Sequence, residues 1–127
     1  MPKRILLVDD EELVRVTLKE FLTILGLEVV EASSGSEGIE KAQQVEFQIL
    51  ITDYKMPDMT GIEMIREILK FKRDFKIVIL SGYVGEITNE MLEGIEVSAI
   101  LQKPADLGVL ERIITQILAD LNKTNGG

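Results

Sequence analysis

Apolar residues along this chain follow two alternating rhythms. Short runs with few interruptions, Arg4-Ile5-Leu6-Leu7-Val8, Phe47-Gln48-Ile49-Leu50-Ile51-Thr52, Lys76-Ile77-Val78-Ile79-Leu80 and Ser98-Ala99-Ile100-Leu101-Gln102, read as strands. They are too apolar to be half-exposed, so burial on both faces is expected. A shorter strand is expected at about Glu28 to Ala32. Between the strands the apolar positions recur at helical spacing. Val14, Leu18, Phe21 and Leu25 mark one face of a helix from about Glu12 to Leu25, which Gly26 ends. Ser34 with Glu37 forms a candidate capping box for a second helix running to about Gln44. Thr60 with Glu63 forms another, opening a third helix through about Lys70. A fourth helix is expected at about Glu86 to Glu93, flanked by Gly82, Gly85 and Gly94. Asp106 can cap a fifth, along which Leu110, Ile113, Ile117 and Leu121 form an apolar stripe.

Strands that alternate with helices build a parallel sheet with right-handed crossovers, the α/β class. The four apolar strand runs each lead into polar chemistry. The first is followed by Asp9-Asp10, the third strand by Asp53, the fourth by Ser81 and the fifth by Lys103-Pro104. In a parallel sheet those ends converge on one edge, where open α/β sheets place their chemistry. Close together, Asp9, Asp10 and Asp53 would repel, and one would hold its proton. A hard divalent cation resolves the repulsion, and magnesium suits a site of few carboxylates, waters and a phosphate. Taken alone, Asp9 and Asp10 also read as caps for the first helix, and Lys103 as a surface lysine ending a strand.

Composition narrows the choices. At 127 residues the chain is one domain, expected to span 1–122, with a frayed polar tail at 123–127. There is no cysteine, which removes disulfides and thiol chemistry. There is no histidine, so the chain can be neither a phosphohistidine donor nor a histidine-based hydrolase. A formal charge of -8 without a basic run argues against direct nucleic-acid binding. Met1-Pro2-Lys3-Arg4 runs straight into a short strand, and no apolar stretch reaches membrane-spanning length. A cytoplasmic protein without membrane association is expected.

The ordered set, an acid pair before the first helix, Asp53 in an acid-X-X-Met-Pro-X-X-X-Gly segment, Ser81-Gly82 and Lys103-Pro104, resembles the receiver domain of two-component response regulators, the CheY-like superfamily. The resemblance covers about Lys3 to Leu121. It implies a flavodoxin-like (βα)5 fold with the five-stranded sheet in order 2-1-3-4-5 and helices on both faces, an order also found in this general class. It implies that Asp53 accepts a phosphoryl group from a sensor histidine kinase or a histidine phosphotransfer protein. Asp10 and Asp53 would ligate Mg2+ together with the backbone carbonyl of Lys55, and Asp9 would act mainly through a bound water. Lys103 and Ser81 would hold phosphoryl oxygens, and the Lys103–Pro104 bond would be cis. Movement of Ser81 toward the phosphoryl group would change the surface formed by the fourth helix, fifth strand and fifth helix, which is also a candidate dimerisation face. Such a domain modifies only itself and is not an enzyme in the turnover sense.

The chain departs from the family pattern in places. Ile100 stands where an aromatic residue is frequent, so Tyr83 is the candidate reporter of the switch instead. Ala105 stands where phenylalanine is frequent. Lys55, two residues after Asp53, occupies a position that in this family tunes the phosphoryl lifetime; a solvated turn lysine is the other reading. Two functions compete with the receiver. A Mg2+-dependent phosphatase with an aspartyl-phosphate intermediate would typically carry a second acid where Lys55 stands. A nucleotide or flavin binder would want a phosphate-cradling loop where Asp9-Asp10-Glu11-Glu12 stands.

Overall fold

The three most buried strands form the interior of one parallel sheet in a computed structural model that describes residues 3–126, with side chains through residue 123. Met1, Pro2 and the last residue of the expected tail lie outside the described residues. The strands are β1 (Arg4–Val8), β2 (Glu28–Ala32), β3 (Ile49–Asp53), β4 (Lys76–Ser81) and β5 (Ala99–Gln102), in spatial order β2-β1-β3-β4-β5. All four pairings are parallel, and Leu6 lies opposite both Val30 and Leu50. The fold is therefore the flavodoxin-like arrangement expected. Burial follows position in the sheet. β3 is buried throughout, whereas the edge strands β2 and β5 are mostly half-buried.

Side chains alternate across the sheet, so each inner strand feeds two cores. On one face Leu6, Leu50, Ile77 and Ile79 pack with Ala42 of α2 (Gly35–Gln44) and Ile62, Met64, Ile65 and Ile68 of α3 (Gly61–Ile68). On the other, Ile5, Leu7, Ile51 and Val78 meet Leu18 and Leu22 of α1 (Glu12–Ile24) and Leu110, Ile114 and Ile117 of α4 (Leu107–Gly126). Each fully buried aliphatic side chain contributes about 1.5–3 kcal/mol. Of the stripes expected on the first and last helices, Leu18, Leu110 and Ile117 make these contacts, while the buried Leu22 and Ile114 lie outside those stripes. Val14, Phe21, Ile113 and Leu121 cover the margin of the same core.

The helix ends follow local chemistry. Thr60 accepts from the Glu63 amide, and Glu63 reaches back to the Thr60 amide, so this capping box is complete. Ser34 likewise caps α2 by accepting from the Glu37 amide, but Glu37 reaches Ser33 rather than Ser34. Gly26, at φ +90, carries the chain from α1 toward β2 in a conformation that glycine adopts readily. Asp106 caps α4 by accepting from the Val109 amide. That helix continues through Gly126.

The α-helix expected at Glu86 to Glu93 does not form. In its place stand a single 3-10 turn, Val84–Glu86, and turns closed by Leu92 N–H to Asn89 O and Glu93 N–H to Glu90 O. Thr88 and Asn89 offer side-chain alternatives to helical bonding, and Thr88 Oγ1 takes the Met91 amide. Arg66 of α3 donates to the carbonyls of Met91 and Glu93, at 2.8 and 3.1 Å. Ile87, Met91 and Leu92 still pack on the core, so the segment obtains its burial without the helix.

Candidate functional site

The register of the sheet aligns the strand ends. Val8 pairs with Thr52, Asp53 with Leu80, and Ser81 with Gln102. Asp9, Asp53, Ser81 and Lys103 thus stand along one edge. Asp9 is wholly buried and Asp53 is 6% exposed, while Asp10 is exposed. One carboxylate oxygen from each of Asp9, Asp10 and Asp53 lies within 4.8 Å of the others. Capping does not account for the acid pair. The residue before α1 is Glu11, which makes no side-chain cap bond, and Asp9 Oδ1 accepts the Glu11 amide at 2.9 Å.

Lys103 answers the carboxylates. Its Nζ lies 3.2 Å from Asp9 Oδ2, 3.2 Å from Asp53 Oδ2 and 2.9 Å from Glu11 Oε1. The Lys103–Pro104 peptide bond is cis. Burial pushes the Asp53 carboxyl up to about 6; the Asp9 charge adds to this, while Lys103 opposes it. Burial also raises the Asp9 carboxyl, against the Glu11 amide and Lys103. For Lys103 burial disfavours the cation, but Glu11, Asp53 and Asp9 together raise its proton affinity above the ordinary lysine value. The ammonium is therefore charged throughout the physiological range.

An open depression of about 530 Å³ exposes this chemistry, its walls including Asp10, Glu11, Asp53, Lys55, Gly82 and Lys103. Lys55 stands at the rim, 77% exposed, with its Nζ 3.7 Å from Glu86 Oε2. Ser81 is buried, and its hydroxyl is engaged by the next turn: it donates to Tyr83 O at 3.0 Å and accepts the Tyr83 amide at 3.2 Å. Tyr83 itself is 65% exposed, and a Cβ at Gly85 would run into its ring.

The loop after Asp53 is fixed from both sides. The Gly61 amide donates to Tyr54 O at 2.6 Å, and a Cβ at Gly61 would collide with the Asp53 carbonyl oxygen. Asp58 reaches across to α2, accepting the Gly35 and Ser36 amides at 3.0 and 2.9 Å and the Ser36 hydroxyl at 2.9 Å. These bonds, the Ser36 amide foremost, hold the Asp58 carboxyl below the ordinary carboxylate range. Sequence reasoning missed Glu11 as the shortest partner of Lys103, and Asp58 as a helix cap. Glu11 follows the acid pair directly and could have been suspected; the partners of Asp58 lie 22 and 23 residues away and could not.

The donor set suits a hard divalent cation. It is all oxygen, its three carboxylates are close enough to share one ion, and burial of two of them leaves charge that Lys103 alone does not balance. A family model described as the response regulator receiver domain matches residues 5–115. This chain belongs to that family. The receiver is 42% identical to the chemotaxis protein CheY of Thermotoga maritima over 83 residues, 65% of this chain and 69% of CheY. It is 32% identical to the response regulator receiver protein CpdR of Brucella abortus, covering 91% of this chain and 97% of CpdR. Among solved structures it is similar to the response regulator TrrA of Thermotoga maritima in complex with Mg2+ and BeF, at TM-score 0.81 and 31% identity over 91% of this chain and 98% of that one. Against two other relatives the receiver spans only 28% and 52% of the relative's length. It is a two-component signalling module with an acidic pocket. Among the described residues, no helix is long and apolar enough to cross a membrane.

Proposed function

We propose that the domain accepts a phosphoryl group onto Asp53 from the phosphohistidine of a sensor kinase or phosphotransfer protein. The observation that carries this reading is the Asp53 carboxylate itself, almost buried yet opening on the depression, between two further carboxylates and Lys103. A carboxylate so placed is a nucleophile of the kind that forms acyl phosphates. Its oxygen attacks phosphorus, the P–N bond to the donor imidazole breaks, and the imidazole keeps the electron pair and takes a proton. Asp10 and Asp53, with the Lys55 carbonyl, would hold Mg2+, and Asp9 would act through a water. When bound, the ion neutralises charge on the carboxylates and on the transferring group. The chain's own residues supply the rest. Lys103 brings a fixed cation to the equatorial oxygens, where phosphoryl transfer needs charge stabilisation. Ser81 supplies a hydroxyl once it leaves Tyr83.

The TrrA structure, which holds Mg2+ and BeF on a similar fold, supports this reading. The switched surface would be the 3-10 segment, β5 and α4, which would also serve in any dimer. The domain would act in the cytoplasm, through protein partners rather than nucleic acid or membrane, and would catalyse only its own phosphorylation and dephosphorylation. Intact mass after incubation with acetyl phosphate and Mg2+ tests it. One phosphoryl increment is expected, absent in Asp53→Asn and absent without Mg2+. An increment that survives in Asp53→Asn refutes the acceptor assignment.

A further inference from the structure

The backbone ladder between β4 and β5 ends at Ser81 and Gln102, where the Lys103 amide donates to Ser81 O at 2.8 Å. The Gln102 side chain adds a rung beyond that end. Its Nε2 donates to Gly82 O at 2.7 Å and its Oε1 accepts the Val84 amide at 3.3 Å. A carboxamide carries the same donor and acceptor as a peptide group, so it extends the ladder over the loop. The two held residues bracket Tyr83. Tyr83 supplies both the acceptor and the donor that occupy the Ser81 hydroxyl. For Ser81 to turn toward a group on Asp53, its bonds to the Tyr83 backbone must break. The backbone on either side of Tyr83 is fixed for as long as Gln102 holds it.

We propose that Gln102 is a positioning residue, a latch that holds the Gly82–Val84 loop in the conformation that keeps Ser81 on Tyr83, and that opens when Ser81 engages the phosphoryl group. The proposal rests on the phosphoacceptor reading of Asp53. Gln102 is exposed, so its release returns both amide atoms to water at little cost, as a reversible latch requires. By linkage, a ligand bound only by the unlatched state must bind more tightly when the latch is removed.

Beryllofluoride with Mg2+ is the probe, titrated into wild type, Gln102→Leu and Asp53→Asn and followed by the Gly82 and Val84 amide resonances. Loss of two exposed hydrogen bonds predicts roughly three- to tenfold tighter binding to Gln102→Leu. Its free-state Gly82 and Val84 resonances should lie displaced toward the wild-type bound positions. A merely structural glutamine would change the unfolding midpoint and leave the beryllofluoride affinity unmoved. Wild-type binding with equal or weaker binding by Gln102→Leu overturns the latch alone. Absence of wild-type binding overturns the phosphoacceptor reading and the latch with it.

Discussion

Replacing Asp53 by asparagine should stabilise the metal-free protein at neutral pH, although it removes an ion pair with Lys103. The carboxylate is 6% exposed and faces the charges of Asp9 and Asp10, and its folded pKa rises from 3.8 to about 6. The folded state therefore binds more protons than the unfolded state between those values, and stability falls as pH rises through that window. Each tenfold change in proton affinity corresponds to about 1.4 kcal/mol, which sets a ceiling of about 3 kcal/mol on the penalty above pH 6. Asparagine keeps the shape and removes the charge, while Lys103 retains Asp9 and Glu11. Urea unfolding of both proteins in chelator should show Asp53→Asn more stable by about 1–3 kcal/mol at pH 7.5, the gap closing toward pH 4. Added Mg2+ should narrow the gap at pH 7.5 by stabilising the wild type. If Asp53→Asn is no more stable than wild type in chelator at pH 7.5, or if the gap is independent of pH, the electrostatic account of the site is wrong.

Lys55→Ala should speed loss of the phosphoryl group by roughly two- to fivefold, the scale of an exposed charge contact, in a phosphate-release assay; an unchanged rate leaves Lys55 a solvated turn lysine. Asp58→Ala should cost about 1 kcal/mol in urea unfolding, because α2 loses the acceptor for its Gly35 and Ser36 amides. The Asp58 carboxyl is held below its ordinary value, so this contribution is present at neutral pH and fades as pH falls through the folded pKa. Gly61→Ala should cost about 1–3 kcal/mol in thermal unfolding, since the new methyl meets a backbone carbonyl rather than a movable side chain.

What could be read from the sequence was what local pattern determines. Runs such as Ile49-Leu50-Ile51 admit burial on both faces and little else, and the sheet follows from their alternation with helices. Asp9, Asp10, Asp53, Ser81 and Lys103 were nameable because each sits at or just past a strand end, where the topology brings them to one edge. The segment after Ser81, expected to be a helix at about Glu86 to Glu93, places Ile87, Met91 and Leu92 on the core without one. Their burial is real, but Thr88, Asn89 and the reach of Arg66 from α3 satisfy the backbone in another way. The roles of Asp58 and Gln102 depend on partners 22–23 and 18–20 residues distant, which no local window contains.

The three partners of Lys103 are not equivalent, and the difference gives the site its direction. Asp9 is wholly buried, so removing its countercharge would strand an anion in a low-dielectric interior, a costly change. The Glu11 side chain is 61% exposed, so water can replace the lysine there at little cost. Asp53 is the partner that the phosphoacceptor reading converts from a single carboxylate charge into a phosphoryl group with more. An ammonium held among these three, and charged at any physiological pH, gains most by keeping Asp9, turning toward the group on Asp53 and giving up Glu11. Glu11 opens α1, and Lys103 leads through Pro104 into α4, so that exchange would loosen a tie between the starts of the two helices on one face of the sheet. The Ser81 loop leaves the end of β4, the strand paired beside Asp53. One charge placed on Asp53 would thus act on two elements at once, through an ion pair it weakens and a hydroxyl it attracts.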